Sequence, residues 1–430
     1  MTSSLIFSEI AELRNEKVNP ESASGSRYVG LEHIEQNSLS LSGWGSAEDV
    51  DSQKQRFYEG DVLFGKLRPY FRKVAIAPFD GICSTDIWVV RPIVETDRDF
   101  LFYWMASEDF IARATNAAEG TRMPRAKWDW VSRFELPFMS PLKRQRTGAI
   151  LRSLDDKIAH NRELSQTLEE IAQTVFRSWF VDFDPVKAKM AGVKPAGMDD
   201  ATAALFPDSL EQSVLGMIPK GWIVRPLFDF QLEIESGARP KGGVKGIANG
   251  VPSIGAESIN GIGVFNFSKT KYVAEEFYEK MNKGKPRDFD ILLYKDGGKP
   301  GEFKPRVGMF GKGFPFKRFG INEHVFLLRS SELGPAFTYF WIRMERTLDV
   351  LRSRGIKAAI PGINQQDVGT IPVLWPHSEL IDKFTKLSMP LLESILTLAS
   401  EALELSRLRD ALLPRLISGE LQIPEVMLAS

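Results

Sequence analysis

The feature that most constrains this chain is a long run of apolar residues at helical spacing between Pro141 and Pro185. The apolar residues recur every three or four positions, or at sums of those steps, with charged residues between them. That pattern is typical of an amphipathic helix with a coiled-coil seam. Pro141 stands where a first helical turn tolerates proline, and Asp184-Pro185 is expected to end the helix. We therefore predict one helix of about forty residues, about 60 Å long.

The same helical pattern occurs a second time near the C-terminus. A shift of 237 positions places the apolar residues of the first run on those of the second without a gap, and also aligns FLFYWM at 100–105 with FTYFWI at 337–342. The predicted seam between the two helices consists of Leu154, Ile158, Asn161, Leu168, Ile171, Val175, Leu391, Ile395, Leu398, Leu405, Leu408 and Leu412. Asn161 is polar where the second copy has Leu398, so we expect it to help fix the register.

A repeated long helix predicts a tandem arrangement in which each helix follows a globular domain. Between the helical runs, short stretches of β-branched and aromatic residues are cut by Gly and Pro, which indicates strands and a mixed α/β (α+β) fold class. The predicted divisions are a first globular domain at 1–140, a first long helix at 141–182, a connector at 183–220, a second globular domain at 221–376, a second long helix at 377–418 and a tail at 419–430.

Composition narrows the class of protein. A chain of 430 residues with 43% hydrophobic residues is long enough for two ordinary domains plus connecting helices. No run of about eighteen apolar residues occurs, so we expect no membrane association and a cytoplasmic location. The single cysteine, Cys83, excludes an internal disulfide and a cysteine metal cluster.

Positive charge is concentrated in a few loops, although the net charge is −1. Each predicted domain carries at least two basic segments, and those of the first domain are interleaved with aromatic residues, which favours a surface that contacts phosphates and bases. For any single residue, a solvated basic loop is the alternative. The predicted DNA-contacting residues are Lys66, Arg68, Arg72, Lys73, Arg122, Arg125, Lys127, Arg239, Lys241, Lys304, Arg306, Lys312, Lys317, Arg318 and Lys357. Asn364, Gln365 and Gln366 are further candidates, because side-chain amides can read adenine.

The sequence lacks the motifs that an enzyme would need. GMFGKGF at 308–314 has the wrong spacing for a phosphate-binding loop and no hydroxyl after its lysine. An adenine methyltransferase would need an Asn/Asp-Pro-Pro-Tyr/Phe corner, which DFDP at Asp182 does not supply. The four histidines are scattered without a second ligand at metal-binding spacing. We predict no catalytic residue and no metal site.

Three segments resemble the specificity subunits of Type I restriction-modification systems. SLDDKIAHNRELSQTLEEIAQTVFRSWFVDFDPVKAK at 153–189 is similar to the central conserved region of that family. LFPDSLEQSVLGMIPKGW at 205–222 is similar to its entry into the second recognition domain, and RLRDALLPRLISGEL at 407–421 to its distal conserved region. The resemblance covers nearly the whole chain.

The resemblance implies a non-catalytic reader of double-stranded DNA. Each globular domain would be a target-recognition domain for one half of a split, asymmetric sequence. The two long helices would pack antiparallel as a coiled coil, relate the repeats by a pseudo-twofold axis, and hold the half-sites apart. They would dock two adenine methyltransferase subunits, and ATP-dependent restriction subunits would join for cleavage. The chain itself would need no cofactor, since S-adenosylmethionine, ATP and Mg belong to the partner subunits.

Two alternatives share this architecture. The chain could serve a two-gene system in which one partner both cuts and methylates DNA. It could also be a coiled-coil scaffold that reads no sequence, which the absence of salt-sensitive DNA binding would indicate.

Overall fold

The structure is a computed structural model that describes residues 4–36, 39–356 and 361–423. Its contacts divide the chain into a first unit (residues 1–158 and 404–430) and a second unit (residues 159–403). The helices of the described residues are α1 (Arg98–Ala106), α2 (Glu108–Asn116), α3 (Trp128–Val131), α4 (Pro141–Phe180), α5 (Asp184–Met190), α6 (Asp200–Ala204), α7 (Glu275–Lys280), α8 (Gly334–Arg343), α9 (Glu345–Gly355), α10 (Gln365–Gly369) and α11 (Ser378–Ile417).

The strands are short in both units. Those of the first unit are β1 (Leu5–Ile6), β2 (Ala11–Arg14), β3 (Lys17–Val18), β4 (Arg27–Val29), β5 (Gly45–Ser46), β6 (Lys54–Phe57), β7 (Val62–Gly65), β8 (Val74–Ile76), β9 (Gly81–Cys83), β10 (Ile87–Pro92), β11 (Ala118–Glu119), β12 (Arg125–Ala126) and β13 (Glu135–Leu136). Those of the second unit are β14 (Leu210–Ser213), β15 (Gly216–Pro219), β16 (Ile223–Pro226), β17 (Leu232–Ser236), β18 (Val251–Ile254), β19 (Lys271–Val273), β20 (Ile291–Tyr294), β21 (Val307–Met309), β22 (Gly320–Ile321), β23 (Val325–Ser330) and β24 (Pro372–Trp375).

The two long helices confirm the strongest prediction from the sequence. Both α4 and α11 contain 40 residues, and both their first and last residues differ by 237 positions. Helix α4 ends at Phe180, two residues before the predicted end, and α11 ends at Ile417. Pro185 does not simply stop a helix, because it lies in the first turn of α5, where its missing N–H costs no hydrogen bond.

Within each unit the segments of α4 and α11 run in opposite directions. In the second unit the ring of Phe176 lies 5.7 Å from that of Phe384, and Asn161, four turns earlier on α4, bonds Glu401. In the first unit Asp155 bonds Arg409, and Lys143 bonds Gln422, which lies beyond the end of α11. The mixed α/β class with paired long helices is therefore confirmed.

A four-stranded antiparallel sheet is common to the two units. Its strand order is β2-β10-β7-β8 in the first unit and β17-β23-β20-β21 in the second. The register also matches, since Gly65 lies opposite Ile87 and Tyr294 lies opposite Val325 at corresponding places. Helices α1 and α8 are apolar on nearly all sides and are buried against these sheets, as expected for helices without a polar face.

The additional residues of the second copy fall in two connections. Corresponding residues differ by 229 positions at Val62 and Ile291, by 233 at Val74 and Val307, and by 239 at Gly81 and Gly320. In the sequence alone, the fall of the shift from 237 to 229 at β20 predicts about eight extra residues in the single loop that follows it. In the structure, the connection from β20 to β21 gains four residues and the connection from β21 to β22 gains six. Surface connections can lengthen in this way without changing the sheet.

The predicted helix seam is only partly buried. Ile158, Asn161 and Ile395 are buried, whereas Ile171 and Leu408 are nearly half exposed. Ala172, Phe176, Leu392 and Leu396 are buried instead. Each helix packs against a globular layer as well as against its partner, so its buried stripe is wider than a coiled-coil seam and is rotated from the predicted one. No helix of the described residues is long and apolar enough to span a membrane.

Candidate nucleic-acid interface

Two basic loops of the first unit are bound to each other by backbone hydrogen bonds. The loop after β7 (residues 66–73) and the segment around β12 (residues 119–127) lie side by side. The Ala126 N–H donates to the Lys66 carbonyl at 2.9 Å, and the Arg68 N–H donates to the Pro124 carbonyl at 2.8 Å. The Lys66 N–H donates to the Asp86 carbonyl at 2.9 Å. We call the arrangement of these three segments, the loop after β7, the segment around β12 and the residue before β10, the strand-end frame. It forms where β7 ends and β10 begins.

The loop after β7 turns sharply at two arginines. Arg68 and Arg72 both have positive φ, 51° and 50°, on either side of a short 3-10 helix at Pro69–Phe71. A left-handed backbone is costly for a residue with a Cβ, so neighbouring contacts must hold it. The Arg68 guanidinium donates to the Arg122 carbonyl at 3.3 Å, and the Arg72 guanidinium donates to the Ala106 carbonyl at 3.2 Å.

The basic residues of the frame differ in how far their charge is already neutralised. Arg125 makes two hydrogen bonds to the Asp86 carboxylate, at 2.7 and 3.1 Å, which raise the pKa of Arg125. Lys127 pairs with Glu119 at 3.2 Å, and Arg72 lies 3.6 Å from Glu108. Each of these cations already lies beside a carboxylate.

Two lysines of the frame are partly withdrawn from solvent. Lys73 donates to the carbonyls of Leu31 and Ile34, at 2.5 and 2.8 Å, and burial lowers its pKa. Burial also lowers the pKa of Lys66, although the nearby Asp86 carboxylate opposes that shift. Lys73 therefore supports the loop as well as adding charge. Arg122 is exposed, and so are the aromatic rings of Tyr70 and Trp130 beside these loops.

The same frame recurs in the second unit with the same hydrogen bonds. The Ile363 N–H donates to the Lys295 carbonyl at 2.8 Å, the Gly297 N–H to the Pro361 carbonyl at 2.9 Å, and the Lys295 N–H to the His324 carbonyl at 2.9 Å. These bonds correspond one for one to those of the first unit.

The side chains on the second frame are different. Gly297 and Gly362 stand at the places of Arg68 and Arg125, and His324 contacts the Asp296 carboxylate. Glu323 lies 3.4 Å from the other ring nitrogen of His324. No group of residues suited to hold a metal ion occurs in the described part of the chain.

Most predicted basic residues of the second unit lie in two connections. Lys304 and Arg306 lie in the loop after β20, which corresponds to the loop after β7, whereas Lys312, Lys317 and Arg318 lie between β21 and β22. Arg318 pairs with Glu275 and Glu279, which raises its pKa. The Arg306 guanidinium lies 5.1 Å from the centre of the Tyr294 ring.

The remaining predicted contacts of the second unit are partly paired. Lys304 pairs with Glu302 at 2.5 Å, Lys312 with Glu393 at 3.6 Å and Arg239 with Glu323 at 3.2 Å. Lys241 and Lys317 are exposed. Lys357 lies outside the described residues.

A shallow cavity of about 100 Å³ brings Lys317 and Arg318 together with Arg287. Arg287 was not among our predicted contacts, although it ends a segment that also contains Lys280, Lys283 and Lys285. That run of basic residues was a usable signal. Asn364, by contrast, has a structural role: its side-chain oxygen accepts from the Asp367 N–H at 3.0 Å and caps α10.

Comparisons with known proteins bear on what these surfaces do. The chain is 25% identical over 358 residues to the Type I restriction enzyme MjaIX specificity subunit of Methanocaldococcus jannaschii, covering 82% of this chain and 72% of that protein. It is 25% identical over 426 residues to the HindI specificity subunit of Haemophilus influenzae, covering 87% and 90%. Over 156 residues it is 31% identical to the EcoDI specificity subunit of Escherichia coli, covering 36% and 34%. No family model matches the chain.

A solved structure supports the fold. The chain superposes on the S subunit of a Type I restriction-modification system from M. genitalium with a TM-score of 0.53, at 14% identity, covering 96% of both chains. At that identity the likeness concerns the fold alone.

Proposed function

We propose that this chain, a member of the specificity-subunit family of Type I restriction enzymes, is the subunit that reads a bipartite, asymmetric DNA sequence. Each unit would contact one half of the target. The observation that carries this proposal is the recurrence of the strand-end frame, which places variable side chains at the same end of the same sheet in both units. A conserved backbone with divergent loops suits two readers of different sequences.

The basic side chains around each sheet would supply contacts to phosphates. Arg122 in the first unit, and Lys241 and Lys317 in the second, are exposed, and Arg68 is half-buried beside Arg122. Phosphate contacts fix the orientation of a protein on DNA, and base contacts then specify the sequence.

The subunit would be non-catalytic and would act through partners. The homologues are specificity subunits of enzymes, and two adenine methyltransferase subunits would dock on the long helices of this chain. Leu164 and Ile171 leave apolar surface exposed on α4, which suits a partner helix. ATP-dependent restriction subunits would complete the complex. A two-gene system with a combined nuclease and methyltransferase partner is the second candidate.

The deciding experiment maps methylated adenines in cells that carry this chain with its partner methyltransferase. We expect one split, asymmetric motif that disappears when the gene for this chain is deleted and returns when it is restored. Purified alone, the chain should show no methyltransferase, nuclease or ATPase activity. A motif that persists without the chain, or catalysis that stays with the chain after its partners are removed, would refute the proposal.

A further inference from the structure

The two long helices are nearly interchangeable in length and apolar pattern, which raises the question of how each selects its partner. Both contain 40 residues and begin and end at equivalent places in the repeat. On apolar pattern alone, α4 could pair with a second copy of α4 about as well as with α11. Coiled coils usually settle such choices with a few polar residues in the interface.

Polar contacts join α4 to α11 in both units. In the second unit, the Asn161 side-chain amide donates to the Glu401 carboxylate at 3.0 Å. In the first unit, the Arg409 guanidinium donates to the Asp155 carboxylate at 2.5 Å, and the Tyr103 hydroxyl donates to the same carboxylate. Asn161 is 1% exposed, and the side chains of Asp155 and Arg409 are 20% and 12% exposed. Water therefore offers these groups little compensation if they lose their partners.

The repeat places only apolar residues at the corresponding positions. Adding 237 to Asn161 gives Leu398, and subtracting 237 from Glu401 gives Leu164. The same arithmetic converts the pair of Asp155 and Arg409 into Leu392 and Ala172, both of which are fully buried in the core of the second unit. Within this chain, polar residues thus face polar residues, and the repeat-related positions are apolar on both helices.

We propose that these residues make α4 accept α11 and reject a second copy of itself. Consider two α4 helices from two chains, aligned in the register that α4 and α11 have in this structure. Asn161 would then face Leu164 and Asp155 would face Ala172, and twofold symmetry would create each mismatch twice. In an α11 pair, Glu401 would face Leu398 and Arg409 would face Leu392. Every mismatch separates a polar group from its partner, and the cost falls mainly on Asn161, Asp155 and Arg409, because Glu401 is exposed to water.

The test uses full-length chains and measures self-association by sedimentation velocity. The first variant, Asn161→Leu/Glu401→Leu/Asp155→Leu/Arg409→Ala, gives each polar position the residue found at its repeat-related place. It removes the mismatches from like-with-like pairing, that is, from pairs of α4 with α4 or of α11 with α11. We therefore expect self-association at least about tenfold tighter than that of the unaltered chain. The smaller variant Asn161→Leu/Glu401→Leu should change in the same direction by less, and it keeps the test decisive if the fourfold variant folds poorly.

A control variant moves one polar pair without removing it. In Asn161→Leu/Leu164→Glu/Leu398→Asn/Glu401→Leu, the composition is unchanged, the polar residues again face each other, and like-with-like pairing again creates mismatches. We expect this chain to self-associate no more than the unaltered one. Equal self-association of the control and the smaller variant would overturn the proposal. So would unchanged self-association of both the fourfold variant and the smaller variant.

Discussion

The two strand-end frames share a backbone and differ in charge. In the first unit the cation, Arg125, comes from the segment around β12 and binds Asp86, which precedes β10. In the second unit the carboxylate, Asp296, follows β20 and binds His324, which stands at the place of Asp86. Gly362 occupies the place of Arg125. Hydrogen bonds between main-chain atoms keep the three segments together in both units, so the side chains are free to change without loss of the frame.

The joint where each globular domain meets its long helix also lies at equivalent positions in the two units and differs in its charged residues. In the first unit Arg144, at the start of α4, makes two hydrogen bonds to the Asp97 carboxylate, and both side chains are buried. In the second unit the corresponding residues are Ile381, which is buried, and Gly334. The first joint is held by an ion pair and the second by apolar contact, although the helices enter at equivalent positions.

The largest effect should come from breaking the buried ion pair of the first joint. Arg144→Ala or Asp97→Ala leaves one buried charge without its partner, which destabilises by about 3–5 kcal/mol. The double variant Arg144→Ile/Asp97→Gly copies the second joint and should recover most of that loss. Faster hydrogen exchange of amides in α1 and the first turns of α4, together with a lower urea midpoint, would report the change.

Lys143→Ala is the matched control, because its side chain bonds the exposed Gln422 and its removal should change stability by less than about 0.5 kcal/mol. If the double variant were as unstable as either single variant, the unpaired charge would not be the cause.

A smaller effect should follow from adding a side chain at the point where α4 and α1 lie closest. A Cβ at Gly148 would lie 2.6 Å from the Phe100 backbone nitrogen, so one of the two helices must shift. We expect Gly148→Ala to destabilise the first unit by about 1–3 kcal/mol, measured as a lower thermal midpoint. The second unit has Thr385 at this position and a glycine, Gly334, on the facing helix. Thr385→Ala should therefore have little effect, and an equal loss in both variants would contradict this account.

The smallest effect, on DNA binding, should come from giving the first frame a residue of the second. Arg68→Gly places at that position the residue found at Gly297, and glycine tolerates the positive φ of Arg68. The fold should be unchanged. One lost phosphate contact should lower the slope of log affinity against log salt concentration by about one.

Titration of the assembled methyltransferase with target DNA at several salt concentrations measures that slope. Arg98→Ala is the control of equal charge change, because Arg98 follows Pro92 at the opposite end of β10 from the frame. An unchanged slope for Arg68→Gly would mean that this loop does not contact phosphate.

The sequence alone determined the repeat, the two long helices and the basic loops. Helical periodicity is a local property, so the spacing of apolar residues was enough to place α4 and α11 to within two residues. The shift of 237 positions then tied FLFYWM at 100–105 to its counterpart. The basic loops were visible because a run such as Gly65 to Lys73 contains no acid.

Only the tertiary structure decided which charges are paired and which face of each helix is buried. Asp86 lies 39 residues from Arg125, and Asp296 lies 28 residues from His324; such separations leave no periodic signal in a sequence. Ile171 fits the seam pattern but is exposed, because a globular layer competes with the partner helix for the apolar stripe of α4. Asn161 was recognisable as a polar interruption, yet its partner, Glu401, became apparent only when the antiparallel segments were placed side by side.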